Sequence, residues 1–403
     1  MPERTPATTG LAFVMALVAW GTYFYGNSFY LHALVKVGRF DVADVSTAIA
    51  VGFWCAIPGS LAVGWVFDRF GNRWGALGVV SAGALMLGGG VMSLGFATST
   101  WQLYTAYVLM GLAYPTLSTP AVSALLLQRI PPANYQWALS LALTGASVGG
   151  AAAAPLLVLG DGNWGLEKTL TATGLIVVGA VIPAAVVILR PTMSTWVASN
   201  NSGDAAAVVS LRAAIGSGPF LTIFLVALLS LAAQVGFLAH QLSVLVTTMS
   251  PGLASGVITA TAFSAAVGRF TFAALLSRSS LRVLAWGTYL TMALGIAVVA
   301  LGSSASLMTV GSIVMGFSVG AVVMLPPLMC RASFPSHYYG RIYGLIAVAV
   351  YAGGGLGPGL IGLLREATGA ASALWALVVL SIAAAVAVSG LGGSDDKRRT
   401  RAG

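Results

Sequence analysis

Apolar runs long enough to cross a lipid bilayer follow one another along almost the whole of this 403-residue chain. A helix needs about 20 mainly apolar residues to cross the hydrocarbon core, and loops divide the sequence into about twelve such runs. Hydrophobic residues make up 58% of the sequence and charged residues only 7%, a composition far from that of a soluble domain. The pattern predicts an all-α, polytopic membrane protein.

The predicted spans share high hydropathy and are separated by short turns that contain polar residues, glycine or proline. They cover residues 11–37, 43–67, 75–96, 101–129, 135–160, 166–190, 217–247, 252–277, 283–303, 304–330, 338–364 and 370–392. Twelve helices return the chain to the side of the membrane on which it began.

The basic residues indicate topology rather than a polyanionic partner. A formal charge of +9 would suggest nucleic acid for a soluble protein, but here the cations lie in short loops between apolar runs. With both termini in the cytoplasm, only Lys36, Arg39, Lys168 and Arg365 fall on the outer side. We therefore expect a multi-pass protein of the bacterial inner (plasma) membrane with both termini cytoplasmic, and no nucleic-acid partner.

Little in the sequence supports catalysis. Cys55 and Cys330 lie far apart in apolar runs and give neither a disulfide framework nor a metal spacing. Three histidines and no paired carboxylates leave few groups for hydrolytic chemistry. A membrane enzyme or receptor would need a catalytic dyad, a metal set or a large extramembrane domain, so we expect neither enzyme activity nor a cofactor. A channel would be excluded by saturable flux that is stimulated by counter-transport.

One long polar connection, from about residue 190 to 218, divides the chain near its midpoint. It predicts an N-terminal six-helix bundle over 1–192, a cytoplasmic linker over 193–216 and a C-terminal six-helix bundle over 217–392. A basic cytoplasmic tail, 393–403, follows. Duplicated six-helix halves are typical of transporters whose substrate site lies between the halves.

Two internal echoes support this division. The loop after span two, 64–73, matches the loop after span eight, 273–282, at a shift of 209 residues, and both arginines recur. The second echo has a shift of 203 residues and joins the regions of spans five and eleven. It pairs Tyr135, Gly150 and Pro155 with Tyr338, Gly353 and Pro358.

The loop after span two, Gly64-x-x-x-Asp68-Arg69-x-Gly71-x-Arg73, resembles the signature of the major facilitator superfamily. Three further motifs resemble the monocarboxylate transporters and the related oxalate:formate exchangers. These are Gly268-Arg269, Tyr339-Gly340-x-x-Tyr343-Gly344 and Gly355-x-Gly357-Pro358-x-x-x-Gly362. The resemblance runs from about residue 13 to 388. It implies a twelve-helix, alternating-access carrier built from two pseudo-symmetric bundles.

Arg269 is the one charge near the middle of the apolar run 260–276. A guanidinium at mid-membrane costs about 3 kcal/mol on insertion scales, and its planar fork can hold a carboxylate through two charge-assisted hydrogen bonds. The alternative is a structural arginine bonded to backbone carbonyls or to an acid on a neighbouring helix. All the acids are predicted in loops or tails: Glu3, Asp41, Asp44, Asp68, Asp161, Glu167, Asp204, Glu366, Asp395 and Asp396. The resemblance likewise implies that Arg269 binds the substrate carboxylate.

His240 lies in predicted span seven, close to Gln234 and Gln241. Histidine titrates near pH 6.5 in water, so it is the side chain in the spans best suited to proton exchange near neutrality. A packing histidine bonded to one partner is the alternative. Related transporters carry a histidine beside the substrate at about this place, which implies that His240 binds substrate and is the candidate for proton coupling.

Spans one and four carry hydrogen-bonding groups at helical spacing. Tyr23, Asn27 and Tyr30 follow one another at i, i+4 and i+7 in span one, and Tyr107 and Tyr114 share a face of span four. Tyrosines in membrane helices also serve as interface anchors or packing residues. We predict Tyr23, Asn27 and Tyr114 as substrate-binding residues, together with Tyr343 in span eleven.

The loop signature is predicted to have a conformational role. Charged turns of this kind set topology and cap helices, and the resemblance implies in addition a network that holds the halves in one orientation and breaks as they rock. The predicted gating residues are Gly64, Asp68, Arg69, Gly71, Arg73 and Arg278.

Two departures from the resembled families narrow the prediction. Tyr343 stands where the oxalate exchangers have a lysine, and one buried cation suits one carboxylate better than two. Ala265 stands where animal monocarboxylate transporters have an aspartate, so proton coupling through a buried acid is not expected.

The sequence thus predicts a monomeric secondary transporter of a small organic monocarboxylate, working by proton symport or anion exchange in the lipid bilayer. Its partners would be a small anionic substrate and, in symport, protons. The alternative is a major facilitator efflux pump or exporter of uncharged drugs or metabolites, in which Arg269 is structural.

Overall fold

The computed structural model describes residues 4–70, 75–189, 215–276, 278–334 and 339–390. Within these ranges twelve helices are long and apolar enough to cross a membrane, so the predicted number of spans is confirmed. Helices are expected here because the backbone amides and carbonyls of a lipid-exposed segment must hydrogen-bond within that segment.

The first six spans contain two interrupted helices, in spans one and four. Span one is Arg4–Ala19, a π-helical turn Trp20–Tyr25, and Gly26–Lys36; span two is Val42–Phe70; span three is Ala76–Phe96; span four is Thr100–Leu117 and Thr119–Arg129; span five is Pro132–Trp164; span six is Leu166–Ile188.

Among the last six spans, span ten is the interrupted one. Span seven is Gly218–Leu245; span eight is Pro251–Leu275; span nine is Leu281–Ala300; span ten is Ala305–Val322 and Leu325–Ser333; span eleven is Tyr339–Thr368; span twelve is Ala370–Val388. The predicted boundaries agree to within about one helical turn, except that span one begins at Arg4 rather than at residue 11.

The breaks in spans four and ten fall at equivalent places. The first segments end at Leu117 and Val322, and a proline opens the second segment in each case. Proline is tolerated in the first turn of a helix because the amide hydrogen it lacks would have no intrahelical acceptor there. A shared break at this position is a structural repeat between the halves.

The described chain divides into two compact units. The first unit contains spans one to six together with residues 239–246 and 250–259, which come from spans seven and eight. The second unit contains the other described residues from 215 onward. The predicted linker, 193–216, and tail, 393–403, lie outside the described residues except for residues 215 and 216.

Glycines bring the backbones of spans one and five into contact in the first unit. A Cβ added to Gly145 would collide with the carbonyl oxygen of Phe13, and one added to Gly149 would collide with that of Leu17. A Cβ at Gly21 would in turn lie 3.0 Å from the carbonyl oxygen of Gly149. Small residues at membrane helix contacts allow this close approach.

The same type of contact joins spans seven and eleven in the second unit. A Cβ at Gly353 would collide with the carbonyl oxygen of Leu228, and one at Gly357 with that of Ala232. The glycines of the first half that make the equivalent contacts are therefore Gly145 and Gly149, which correspond to Gly353 and Gly357. The predicted pairing of Gly150 with Gly353 is wrong, because Gly150 instead faces the ring of Tyr25.

Candidate substrate-binding site

Aromatic side chains of spans one, two and four form a buried cluster in the first unit. The ring centroid of Tyr23 lies 4.9 Å from that of Tyr114 and 5.1 Å from that of Phe53. Trp20 and Phe24 join the same cluster. Two of the predicted substrate-binding residues, Tyr23 and Tyr114, are thus in contact.

A π-helical turn, Trp20–Tyr25, interrupts span one next to Asn27. Because its hydrogen bonds run from i to i+5, the regular spacing assumed for Tyr23 and Asn27 does not apply across it. Both side chains are nevertheless fully buried. π turns inside α-helices are frequent at functional sites, so this irregularity marks the same stretch as the polar side chains.

Several buried polar groups of the first unit have no hydrogen-bond partner within the described part of the chain. They are both amide atoms of Asn27 and the hydroxyls of Tyr30 and Tyr107. A buried polar group without a partner costs about 1–3 kcal/mol, so such groups in a folded protein call for an explanation. A polar ligand or water that supplies the missing hydrogen bonds is one.

The imidazole of His240 is fully buried, and its Nε2 lies 3.3 Å from the hydroxyl oxygen of Ser46. The Ser46 hydroxyl donates its hydrogen to the carbonyl oxygen of Val42 at 2.6 Å. The Ser46 oxygen therefore accepts from His240, and Nε2 carries a hydrogen in this arrangement. Both residues belong to the first unit, since His240 falls in the segment 239–246.

A second hydrogen bond ties the same segment to span one. The backbone amide of Leu242 donates to the hydroxyl oxygen of Ser28 at 2.8 Å. Ser28 is the neighbour of Asn27 in sequence and is also buried. His240 and Asn27 are therefore held in one unit, each beside a serine that bonds across helices.

Arg269 lies in the second unit, where its side chain is half-buried. It stands six residues before Leu275, the last residue of span eight. At about 1.5 Å per residue, Arg269 lies about 9 Å from the end of the helix. Arg269 is therefore closer to the end of span eight than a residue at mid-span, the position that was expected, would be.

Span ten fixes the backbone around Arg269. A Cβ at Gly268 would collide with the carbonyl oxygen of Phe317 in span ten, and one at Gly320 would lie 2.9 Å from the backbone nitrogen of Arg269. The Ala265 carbonyl also packs against Gly320, and Ala265 itself is buried. The backbone that carries Arg269 is therefore held in place by contact with a second helix.

The acidic residues depart from the prediction that all lie in loops or tails. Asp44 and Glu167 stand in the first turns of spans two and six, and Asp161 and Glu366 near the ends of spans five and eleven. Terminal turns are favoured because charged groups there reach the membrane surface. These four acids thus lie within one turn of a helix end, whereas Arg269 lies six residues from the end of span eight.

The remaining predicted residues are placed in part. Tyr343 is half-buried in span eleven, and Arg278 is exposed in the turn that follows span eight. Gly71 and Arg73 lie outside the described residues. Gly64, Asp68 and Arg69 belong to the helix of span two, but their side chains are also outside what the structure describes.

The structure thus groups Tyr23, Asn27, Tyr114 and His240 in the first unit and Arg269 and Tyr343 in the second. Sequence reasoning missed Ser28 and Ser46, because nothing separates them from the many other serines in the spans. It also missed the aromatic cluster, which the density of aromatic residues in the stretch 20–30 could have signalled.

Within the described residues, twelve helices are long and apolar enough to span a membrane, and two units repeat the same close helix contacts, as is typical of transporters built from duplicated halves. Residues 10–358 match the Major Facilitator Superfamily, and the chain belongs to that family. No curated protein matches the chain by sequence. Family and fold together indicate a transporter and not an enzyme.

Solved structures share the fold at low sequence identity. A variant of the nucleoside transporter NupG is 13% identical, with a TM-score of 0.80, and the match covers 96% of this chain and 100% of that one. A bacterial homologue of the human lysosomal transporter Spinster, described as inward-facing and unoccupied, is 15% identical with a TM-score of 0.72 over 96% and 98% of the two chains.

The peptide transporter POT, solved as a variant in complex with alafosfalin, is 11% identical with a TM-score of 0.71, and the match covers 96% of this chain and 95% of that one. At these identities the likeness extends to the fold alone. Nucleosides and peptides, the substrates that two of these names give, differ from each other and do not select a substrate for this chain.

Proposed function

We propose that this protein moves a small organic monocarboxylate by alternating access, with a proton or in exchange for another carboxylate. The observation that carries the proposal is the half-buried guanidinium of Arg269, on a stretch of span eight whose backbone is clamped by span ten. A planar guanidinium suits two parallel hydrogen bonds to a carboxylate, and the held backbone fixes the point from which this side chain extends.

The other proposed substrate-binding residues supply neutral hydrogen-bonding groups. Asn27 offers a donor and an acceptor, and both lack partners among the described residues. Tyr23, Tyr114 and Tyr343 add aromatic surface and hydroxyls. One cation with several neutral polar groups suits a ligand with one negative charge and a short polar or apolar remainder.

Charge links substrate binding to transport in this proposal. A bound carboxylate neutralises Arg269, so the loaded and empty proteins differ in the charge that a conformational change must carry through a low-dielectric region. A ligand can shift a conformational equilibrium only through such a difference in interaction free energy. The residues of the loop signature, Gly64, Asp68, Arg69, Gly71 and Arg73, are proposed to bias that equilibrium together with Arg278.

If a proton accompanies the substrate, His240 is the group that carries it. Its imidazole is buried against Ser46, whose hydroxyl oxygen accepts a hydrogen bond from Nε2. Anion exchange needs no such group. We further infer a monomer in the bacterial inner membrane with both termini in the cytoplasm, as the distribution of basic residues favours.

The direct test is uptake of short radiolabelled monocarboxylates into proteoliposomes by the wild type and by Arg269→Gln. The matched control is Arg331→Gln, which removes an exposed arginine near the end of span ten. We expect Arg269→Gln to abolish uptake and Arg331→Gln to retain it, with both proteins folded. Unchanged uptake by Arg269→Gln would end the carboxylate assignment.

The aromatic cluster of Trp20, Tyr23, Phe24, Phe53 and Tyr114 favours a second candidate, export of an uncharged metabolite or drug. Such a surface binds apolar rings without a formal charge, and Arg269 would then be structural. A thermal-shift screen of the purified protein separates the two. Stabilisation by lactate or pyruvate supports the carboxylate carrier, and stabilisation by neutral ligands alone supports the exporter.

A further inference from the structure

A groove of about 360 Å³ lies between spans one, five and six of the first unit. None of the predicted substrate-binding residues lines it. Its volume falls within the range of pockets that hold small ligands, which is about 300–1,000 Å³. The groove therefore lies apart from the residues proposed to bind substrate.

Most of the surface of the groove, away from its end at Trp164, is apolar. Val18, Leu157 and Val177 form a buried floor, while Leu156 and Ile176 stand at its edges, each 65% exposed. The polar side chains do not change this character, because the hydroxyls of Thr22 and Thr173 donate to carbonyl oxygens of their own helices. A hydrocarbon chain fits such a surface without leaving polar groups unsatisfied.

The length of the groove matches one leaflet of a membrane. Its lining follows span five from Gly149 to Trp164, a rise of about 22 Å at 1.5 Å per residue. Half of a bilayer hydrocarbon core is about 15 Å thick, and the headgroup region adds several ångströms.

The end of the groove at Trp164 is polar and carries charges of both signs, since Asp161 pairs with Lys36 there and Glu167, next to Lys168, pairs with Arg39 at 2.8 Å. Asn163 and Trp164 are exposed there, and tryptophan is enriched at the level of lipid headgroups. Lys168 is exposed one helical turn before Ala172, which lines the groove. Lys36 lies near the same end, with its Nζ 4.0 Å from a carboxylate oxygen of Asp161. Ammonium, amide and indole N–H groups can all donate to a phosphate.

We propose that this groove binds a glycerophospholipid of the membrane. One acyl chain lies along the floor formed by Val18, Leu157 and Val177, and the phosphate group lies by Lys168 with Asn163 and Trp164 as further donors. The proposal concerns a lipid held by the first unit and is independent of which substrate the protein carries.

The test titrates the purified full-length protein with phosphatidylglycerol and counts bound lipids by native mass spectrometry. The variant Ala153→Leu/Ala172→Leu fills the groove with side chains from spans five and six, since both alanines line it. The control, Gly179→Leu, adds a leucine side chain at an exposed position of span six with open space around it. Ala172→Leu alone serves if the double variant does not fold.

We expect the wild type and the Gly179→Leu control to bind one more lipid per chain than the filled variant. Lys168→Gln should lower the preference for phosphatidylglycerol over phosphatidylcholine about fivefold, since one lysine near anionic lipid contributes about 1 kcal/mol. Equal lipid stoichiometry in the wild type and the filled variant would overturn the proposal. Loss of lipid in the control as well would overturn it too, because the effect would then not belong to the groove.

Discussion

Spans two and four of the first unit and spans eight and ten of the second cross through matching glycines. A Cβ at Gly59 would lie 2.7 Å from the carbonyl oxygen of Leu112, and at Gly268 it would collide with that of Phe317. Spans two and eight correspond at the shift of 209 residues found in the loop echo. The two units thus share one way of packing these helices.

The side chains next to this crossing differ. The shift that matches Gly59 with Gly268 also matches Ser60 with Arg269. The hydroxyl of Ser60 donates to the carbonyl oxygen of Ile57 within its own helix at 2.9 Å. The first unit therefore forms this crossing without a cation, which indicates that packing does not require the guanidinium of Arg269. Functional residues are expected where a side chain departs from what packing of the fold requires.

Spans one and five differ from spans seven and eleven in the same way, by one local irregularity within a shared packing. Their glycine contacts also repeat, but the π turn Trp20–Tyr25 of span one has no counterpart in span seven, which is a continuous α-helix from Gly218 to Leu245. The irregular turn stands beside Asn27. In the first comparison the difference between the units is Arg269 itself, and in the second it is a turn that stands beside Asn27.

Replacing Arg269 by serine gives span eight the residue that span two has at the equivalent position. We expect Arg269→Ser to fold and to lose uptake of a carboxylate about a hundredfold, because a hydrogen bond to a charged group contributes about 1.5–3 kcal/mol. Initial uptake rates in proteoliposomes and thermal unfolding of the detergent-solubilised protein are the two measurements. Loss of folded protein would show that Arg269 is structural and that the comparison with Ser60 misleads.

Removing the imidazole of His240 should separate proton movement from substrate movement. In the symport mode we expect His240→Ala to abolish substrate-driven acidification of the liposome lumen while exchange of labelled for unlabelled substrate continues. Ser46→Ala is the control, because it deletes the hydroxyl bonded to Nε2 and keeps the imidazole. Acidification that persists in His240→Ala would remove this residue from the coupling mechanism.

The glycines at the helix crossings should differ in how much stability the protein loses when each is replaced by alanine. Gly268→Ala should destabilise the protein by about 1–3 kcal/mol, as overpacking of a tight contact does, and Gly59→Ala should cost less because its Cβ would have more room. Gly256→Ala, at an exposed position of span eight with open space, should have little effect. Equal costs for all three variants, measured by thermal unfolding, would refute the packing account of the repeat.

The smallest effect is expected at Asn27, whose amide lacks partners among the described residues. Asn27→Leu should weaken substrate binding about three- to tenfold, the size of one ordinary hydrogen bond, and should raise the melting temperature because a buried polar group is removed. Isothermal titration calorimetry and thermal unfolding report the two quantities. Reduced stability with unchanged affinity would indicate a structural amide instead.

Much of the fold followed from hydropathy alone, because only closed hydrogen-bonding structures can cross a bilayer. The break in span ten could not be predicted, since a proline gives its position only approximately. The π turn in span one could not be predicted either, because no residue type is specific to such a turn. The shift of 203 residues was wrong because the glycine-rich stretches 145–150 and 353–357 can be aligned in several registers, and only the backbone contacts select one.

The candidate site was predictable as single residues and not as contacts. Arg269 stands out as a charge within an apolar run, yet its depth depends on where span eight ends, at Leu275. The partner of His240 could not be foreseen, because Ser46 lies 194 residues earlier in the chain. Long-range pairs of this kind depend on tertiary packing, and a single sequence does not record it.

The central claim is that Arg269 recognises the carboxylate of the substrate, and a calorimetric comparison of an acid with its amide tests it most directly. Lactate and lactamide, or whichever acid binds best and its amide, would be titrated into the wild type and Arg269→Gln. The account predicts that the wild type prefers the acid by at least about tenfold, or 1.4 kcal/mol, and that the variant shows no preference. An undiminished preference for the acid in Arg269→Gln would contradict it.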